Sequence, residues 1–312
     1  TIVLSLDIWR DSMKITNNFN LPKTLVKLAD TQRLQYDKGA DYSVTEIISP
    51  PRIQRLRKKH YAKMETDISS MLWQMMGTAL HNVAENSEVK DYVNEQRLIH
   101  TIEGVTLSGA IDVQVIDGND VTIIDYKFCS VYSVMDVKPE WELQLNIYGW
   151  LVNKVKKLNV KKLQICAMIR DWNRRGIQNS SDYPKAPVQI VDIPVWKDED
   201  VEAYIKERVK LHKKSKLLSD IGDELPLCTD EERWKKPTKY AVMKKGAKRA
   251  VKLFDDLDTA NTVCAENNKE GSFYVEKRVG EAIRCTGNYC GVAEWCSQYN
   301  KEVIANQDGG LS

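Results

Sequence analysis

Two runs of alternating apolar residues, 107–116 and 121–127, flank the tetrapeptide Asp117-Gly118-Asn119-Asp120. Asn and Gly tolerate the positive φ that a tight hairpin needs, so this stretch predicts a turn between antiparallel neighbours. A third strand-like run, 93–103, comes just before them. Helical periodicity brackets the trio. Over 66–86, with Asp67 available as N-cap, Ile68, Leu72, Met75, Met76, Ala79, Leu80 and Val83 fall near one face. Over 141–157, Leu143, Ile147, Leu151 and Val155 do the same, and 161–170 and 187–195 read as further strands. The order α-β-β-β-α-β predicts an α/β fold with a mixed sheet.

The 312 residues around this core suggest three regions. Residues 1–65 read as helical pieces with loops. They include a helix start at Ser43-Val44-Thr45-Glu46 and a break at Ser49-Pro50-Pro51. Residues 66–218 form the core and end in a highly charged helix over 198–218. Residues 219–312 are basic and carry five of the seven cysteines. With 42% apolar and 29% charged residues, disordered, collagen-like and coiled-coil classes are excluded. No apolar window approaches the ~18 residues of a membrane span. The opening TIVLSLDIW reaches Asp7 too soon for a secretory leader, so a reducing, cytoplasmic setting is expected. Clustered cysteines there hold metal more often than they form disulfides. The net charge of +2 means that any basic face is local.

The chemistry is concentrated on the hairpin. Asp125 and Lys127, two residues apart on one strand, face the same side. The turn brings Asp112 close to Asp125. Carboxylates on a sheet of Ile and Val are costly to bury unless they are paired or metal-bound. Few oxygen ligands suit Mg²⁺ or Mn²⁺, and a lysine beside such an ion can orient or deprotonate a water. A surface salt bridge would account for Asp-x-Lys alone. Two neighbours shift the balance. Gly77-Thr78-Ala79-Leu80-His81 lies on the helix before the first strand. Gln144 and Tyr148 share a face of the helix after the third.

The ordered set GxxxH, GxxD, DYK and QxxxY, over roughly residues 70–170, resembles the RecB-type branch of the PD-(D/E)XK nucleases. That family has a restriction-endonuclease-like fold. The resemblance implies that Asp112 and Asp125 bind the metal, with His81 and the main-chain carbonyl of Tyr126 as further ligands. Lys127 would be the catalytic lysine, and Gln144 and Tyr148 would position DNA or support the lysine. Phe128-Cys129 departs from the small or hydroxylic residues that often follow that lysine. Glu95 on the first strand could be a supporting acid and is left outside the catalytic set.

Cys285, Cys290 and Cys296 lie within twelve residues, with Cys228 far upstream. Four thiolates suit either tetrahedral zinc or an iron–sulfur cluster. The arrangement is similar to the iron–sulfur subset of RecB-type nucleases, which includes AddB-like and CRISPR-adaptation exonucleases. There a 4Fe–4S cluster staples the C-terminus. The gap between Cys285 and Cys290 is wider than usual in that subset. Zinc therefore stays open, as does Cys264 in place of Cys228. The segment from Pro226 to Trp234 looks like phage-encoded members, which would put the protein in a host cytoplasm.

Arg233, Lys235, Lys236, Lys239, Lys244, Lys245, Lys248, Arg249 and Lys252 form a basic stretch without acids, interleaved with Trp234 and Tyr240. Charges that track phosphates and rings that stack on bases suit sequence-independent strand binding. Six Lys/Arg between Arg52 and Lys63 could add a second wall. The expected function is a Mg²⁺- or Mn²⁺-dependent DNA exonuclease acting on single-stranded or frayed ends, with a structural 4Fe–4S cluster. The alternatives are a non-catalytic DNA-binding scaffold on a nuclease fold and a zinc-stapled partner-binding module.

Overall fold

A computed structural model describes residues 13–32, 39–87, 89–267 and 271–308. The readings that fall on 1–12 and 33–38 lie outside the described residues. The chain divides into two compact units, Thr1–Glu224 and Leu225–Ser312. In chain order the first holds β1 (Lys14–Thr16), α1 (Lys23–Gln32), β2 (Tyr42–Ser43), α2 (Val44–Ile48), α3 (Pro51–His60), β3 (Glu65–Asp67), α4 (Ile68–Glu85), β4 (Tyr92–Ile102), β5 (Val105–Asp117) and β6 (Asp120–Cys129). It continues with α5 (Tyr132–Met135), α6 (Pro139–Lys156), β7 (Asn159–Ile169), α7 (Arg174–Asn179), β8 (Val188–Ile193) and α8 (Asp198–Asp220). The second unit holds β9 (Lys239–Lys244), β10 (Lys252–Phe254), α9 (Leu257–Asn267), β11 (Phe273–Arg278), α10 (Ile283–Thr286) and α11 (Ser297–Asp308).

The main sheet is mixed. β4, β5 and β6 are antiparallel, β6 and β7 are parallel, and β8 returns antiparallel on β7. The expected hairpin is present, with Asp117 opposite Asp120 and Gly118 at positive φ. Parallel pairing of β6 with β7 requires a crossover, and α6 provides it. That helix rests on the sheet and is covered in turn by α2 and α8. A helix enclosed on all sides has no polar face to spare, and Leu145, Ile147, Trp150, Leu151 and Val152 are all buried.

Residues 42–60 join this core. Ser43 and Glu46 form a reciprocal capping box at the start of α2, and β2 pairs with β5 at Leu107 and Ser108. β4 occupies the other edge of β5 at those same positions, so β2 lies on the edge that β6 occupies further along. The β5–β6 ladder ends at Val113–Ile124. Residues 109–112 thus lie between two partners, on a stretch of open strand edge.

α4 differs from its expected packing. Asp67 caps it, but only Ile68, Met71 and Met75 are buried, against α1, while Leu72, Met76 and Val83 are exposed. The heptad-like spacing of apolar residues is real, but α1 is too small to cover all of it. No helix among the described residues is long and apolar enough to cross a membrane. In the second unit β9 is the centre of a three-stranded antiparallel sheet between β10 and β11, backed by α9 through Val242, Ala260 and Cys264.

Candidate metal centre and cysteine cluster

The gap at the end of the β5–β6 ladder is where the acidic side chains meet. Extending the β5–β6 register by one step beyond Val113–Ile124 sets Asp112 opposite Asp125. The same step on the other side sets Glu95 opposite Asp112, where the β4–β5 ladder skips a pair between Asn94–Val113 and Gln96–Ile111. Glu95 takes φ 45°, a left-handed conformation that is uncommon for a residue with a side chain. Three acids from three adjacent strands therefore stand in one row, and α4 brings His81 to it. Its Nδ1 lies 3.1 Å from Glu95 Oε1 and 3.6 Å from Asp112 Oδ1. One ligand atom each from His81, Glu95 and Asp112 fall within 4.8 Å of one another, a spacing that could hold a cation.

Both aspartates are buried, and each has one oxygen held by a directed hydrogen bond. Asp112 Oδ2 accepts the Tyr126 N–H at 2.7 Å, and Asp125 Oδ1 accepts Gln144 Nε2 at 3.2 Å. Asp125 Oδ2 accepts no directed hydrogen bond and faces Lys127 Nζ at 2.5 Å. Burial, and next the Asp125 charge, push the Asp112 carboxyl up to about 7, against the opposing pull of His81. The hydrogen bond to Glu95 and the nearby acids raise His81, while burial opposes them. Crowded carboxylates beside one imidazole form a donor set short of positive charge.

α6 supplies the second wall. Gln144 Nε2 also donates to the Tyr148 hydroxyl at 2.8 Å, and Tyr148 is buried. The glycine of the GxxD pattern explains how that ring fits. A Cβ on Gly109 would come within 2.8 Å of both Tyr148 Cε1 and Leu151 Cδ1. The sheet admits α6 at this distance only because position 109 has no side chain.

His81, Asp112, Asp125, Lys127, Gln144 and Tyr148, all singled out from sequence, are thus brought into one neighbourhood. The Tyr126 N–H also reaches it, while the Tyr126 ring meets His81 edge-on at 6.2 Å. Glu95 is the residue left out of the sequence set that the geometry adds. The signal for it was the register of β4 against the GxxD strand, which cannot be read until the first loop is known.

None of the seven cysteines is disulfide-bonded, the four expected ones in the second unit included. Cys228 is bound to the far segment through its backbone. Its N–H donates to Gln298 Oε1 at 2.9 Å, and Gln298 Nε2 donates to its carbonyl at 3.0 Å. Cys264 instead packs with Val242 and Ala260. Burial, with Cys290 and Cys296 close by, pushes the Cys285 thiol up to about 11.

The basic stretch is not one surface. Arg233 is buried, with Asp230 at 2.9 Å and Glu302 at 2.5 Å, so its charge is spent inside the unit and it is not available to a phosphate. Lys235 pairs with Asp230, and Lys239 pairs with Asp255. Tyr240 packs on the α9 cluster. Trp234 is exposed, 5.6 Å from the Tyr289 ring and with the Arg284 guanidinium 5.1 Å from its own. Lys236, Lys244, Lys245, Lys248, Arg249 and Lys252 are exposed, the middle four around the turn from β9 to β10. Of the second expected wall, Arg52 is buried and Arg55 reaches Tyr42 Oη at 3.4 Å. α3 turns part of its charge inward.

A family model of the PD-(D/E)XK nuclease superfamily matches residues 27–297. The chain belongs to the PD-(D/E)XK nuclease superfamily. The match runs from α1 past Cys296, so it takes in both units. The mixed sheet with α4 and α6 about it is the restriction-endonuclease-like fold expected from the motif order. Among solved structures, SSO0001 aligns with a TM-score of 0.40 and 14% identity over 61% of this chain and 85% of its own. A candidate exonuclease from Eubacterium rectale aligns with a TM-score of 0.26 and 11% identity over 52% of this chain and 57% of its own. A search of the curated proteins gives no match.

Proposed function

We propose that this nuclease-superfamily member hydrolyses DNA with the help of Mg²⁺ or Mn²⁺, removing nucleotides from single-stranded or frayed ends. One observation carries the reading. Glu95, Asp112 and Asp125 line up across three strands where β5 and β6 part, with His81 and Lys127 at the two ends of the row. The donor set fits a hard divalent ion. It is rich in carboxylate oxygen, its one nitrogen is an imidazole, and Asp125 Oδ2 is buried without a directed hydrogen bond. His81, Glu95, Asp112 and Asp125 would hold the ion, with the Tyr126 carbonyl as a further ligand. When bound, it supplies positive charge to the scissile phosphate and lowers the pKa of a coordinated water.

The chain's own groups do the rest. Lys127 Nζ lies 2.5 Å from Asp125 Oδ2 and can donate to a non-bridging phosphate oxygen as charge builds there. Gln144 fixes the Asp125 carboxylate, and Tyr148 fixes Gln144, so the acid is held ready before substrate arrives. Trp234 and the exposed lysines and arginine around the β9–β10 turn would contact the strand, without Arg233. Cys228, Cys285, Cys290 and Cys296 would hold a structural 4Fe–4S cluster. Tetrahedral zinc on the same four thiolates is the alternative.

The test is degradation of end-labelled linear DNA in Mg²⁺ or Mn²⁺, beside the same sequence as a closed circle. Linear strands should shorten and circles persist. Lys127→Ala should lose at least about 100-fold in rate while still binding DNA. Equal degradation by the two proteins, or none by the wild type with either ion, would refute the enzymatic reading and leave the scaffold. Reversing Lys244 and Lys245 to glutamate should weaken binding and flatten its salt dependence.

A further inference from the structure

α4 delivers His81 to the metal centre, yet much of its surface has no partner. Leu72, Trp73 and Met76 are 38%, 46% and 44% exposed, one after another along the helix. Single exposed apolar residues are ordinary, but a contiguous row beside a functional site is not. Trp73, Gly77 and His81 recur every fourth residue, so they share one face. No heavy atom lies within 4 Å of the place where a Cβ on Gly77 would sit, so that face is open between the indole and the imidazole.

Two further groups converge on Trp73. The Phe128 ring lies 6.0 Å away and tilted, and the Arg170 guanidinium carbon lies 5.2 Å from the indole centre. Among the described residues no acid pairs with Arg170, so its charge is uncommitted. Phe128 directly follows Lys127 in β6, and Arg170 directly follows β7, where its N–H is bonded to the Cys129 carbonyl. β6 thus carries Asp125 and Lys127 on one side. On the other it carries Tyr126 against His81 and Phe128 against Trp73. An exposed indole on a half-buried phenylalanine, with a guanidinium beside it, is therefore built into the same two elements as the candidate site.

We propose that Trp73, backed by Phe128 and flanked by Arg170, is a stacking platform for one base of the single strand that the metal centre acts on. The ring offers a π-face to any base, and Arg170 offers charge to the adjoining phosphate, which suits sequence-independent single-strand binding. Eight residues of helix separate Trp73 from His81, about 12 Å at the helical rise. A stacked strand advances about 3.4 Å per nucleotide, so the base concerned lies three or four nucleotides from the scissile phosphate. The platform rests on the nuclease reading for its occupant, but not for its readout.

Binding is measured in Ca²⁺ with single strands that carry one abasic site at each of the six positions next to either end. For the wild type, one position should weaken binding by roughly 5- to 150-fold, the range for loss of one base–aromatic stack. In Trp73→Ala that position should become indifferent to the missing base while the rest of the profile is kept, and Trp73→Phe should restore it. Gly77→Leu sets its Cβ in open space and removes a helix-weakening glycine. It should weaken binding of intact strands without lowering the melting temperature, and it serves if Trp73→Ala misfolds. An abasic profile unchanged by Trp73→Ala, or full affinity in Gly77→Leu, overturns the platform. Cleavage in Mg²⁺ or Mn²⁺, with Lys127→Ala as control, reports separately on the nuclease reading.

Discussion

Glu95 combines two costs at one position: a left-handed backbone inside a strand and a carboxylate facing Asp112. A non-glycine residue in that conformation is strained by about 1–3 kcal/mol, and such strain persists where a site needs it. Glu95→Gly should therefore raise the melting temperature while lowering cleavage at fixed Mg²⁺ by tenfold or more, with part of the loss recovered at higher metal. A variant that is less stable and fully active would show that Glu95 is architectural and not a ligand. Gly109 makes the opposite case. Its missing Cβ leaves room for Tyr148, and Tyr148 cannot move without releasing Gln144 from Asp125. Gly109→Ala should cost about 1–3 kcal/mol by overpacking and also lower kcat, although position 109 touches no substrate. An activity loss without a stability loss would place the glycine's role elsewhere. Asp112, Asp125, Lys127, His81, Gln144 and Tyr148 were legible in the sequence because each lies in a local pattern with fixed spacing. Glu95 was not, because its role comes from register across β4 and β5 and from a backbone twist that no residue preference announces.

Between elements, the α8–α2 contact inverts what charge suggests. α8 reads as a solvated helix, yet one stripe of it is buried on the end of α2 and the start of α3. Arg208 donates to the carbonyls of Ile47 at 3.0 Å, Ile48 at 3.3 Å and Ser49 at 2.6 Å, and His212 Nε2 lies 3.1 Å from the Ile47 carbonyl. A five-residue helix has almost all its terminal carbonyls unpaired, and this stripe satisfies them. Burial, then the Arg208 charge, depresses His212 from its ordinary 6.5 to about 4. The folded protein therefore keeps His212 neutral down to about pH 4, while the unfolded chain takes up a proton below 6.5. Its contribution to stability, on the order of 3 kcal/mol, is complete above pH 6.5 and drains away as the pH falls from 6.5 towards 4. Melting temperature followed over that range should fall for the wild type and fall less for His212→Gln; parallel curves would remove His212 from the account. Sequence periodicity found α8 but not the burial of Arg208 and His212, because Arg and His count as surface residues until a carbonyl cluster needs them. It likewise found α4 and over-assigned its apolar face. Periodicity reports which residues could be buried together, whereas burial depends on the area of the partner, and α1 covers only Ile68, Met71 and Met75.

Across the whole molecule, the two units are built from different materials. The first buries Ile, Leu, Val and Trp around α6 and the sheet. Among its described residues, the second unit buries as apolar positions Cys228, Ala241, Val242, Met243, Ala260, Cys264, Ala282, Cys290, Val292 and Cys296, mostly small side chains and thiols. The proposed cluster would supply such a region with folding free energy that its apolar surface does not. Burial and neighbouring sulfur push the Cys285 thiol up to about 11, so a thiolate at this position would need a cation beside it. Cys290→Ala should therefore lose iron and acid-labile sulfide together, bleach the visible charge-transfer absorption, and open residues 225–312 to protease. Amide exchange in β5, β6 and β7 should stay slow, because their protection rests on the Ile111, Ile123 and Ile165 core and not on sulfur. Cys264→Ala is the matched control. It removes a buried thiol that packs on Val242 and Ala260, so it should lower stability slightly and leave the iron content intact. Full metal content and unchanged protease resistance in Cys290→Ala would mean that the small core of the second unit folds unaided. The clustered cysteines would then be ordinary buried side chains.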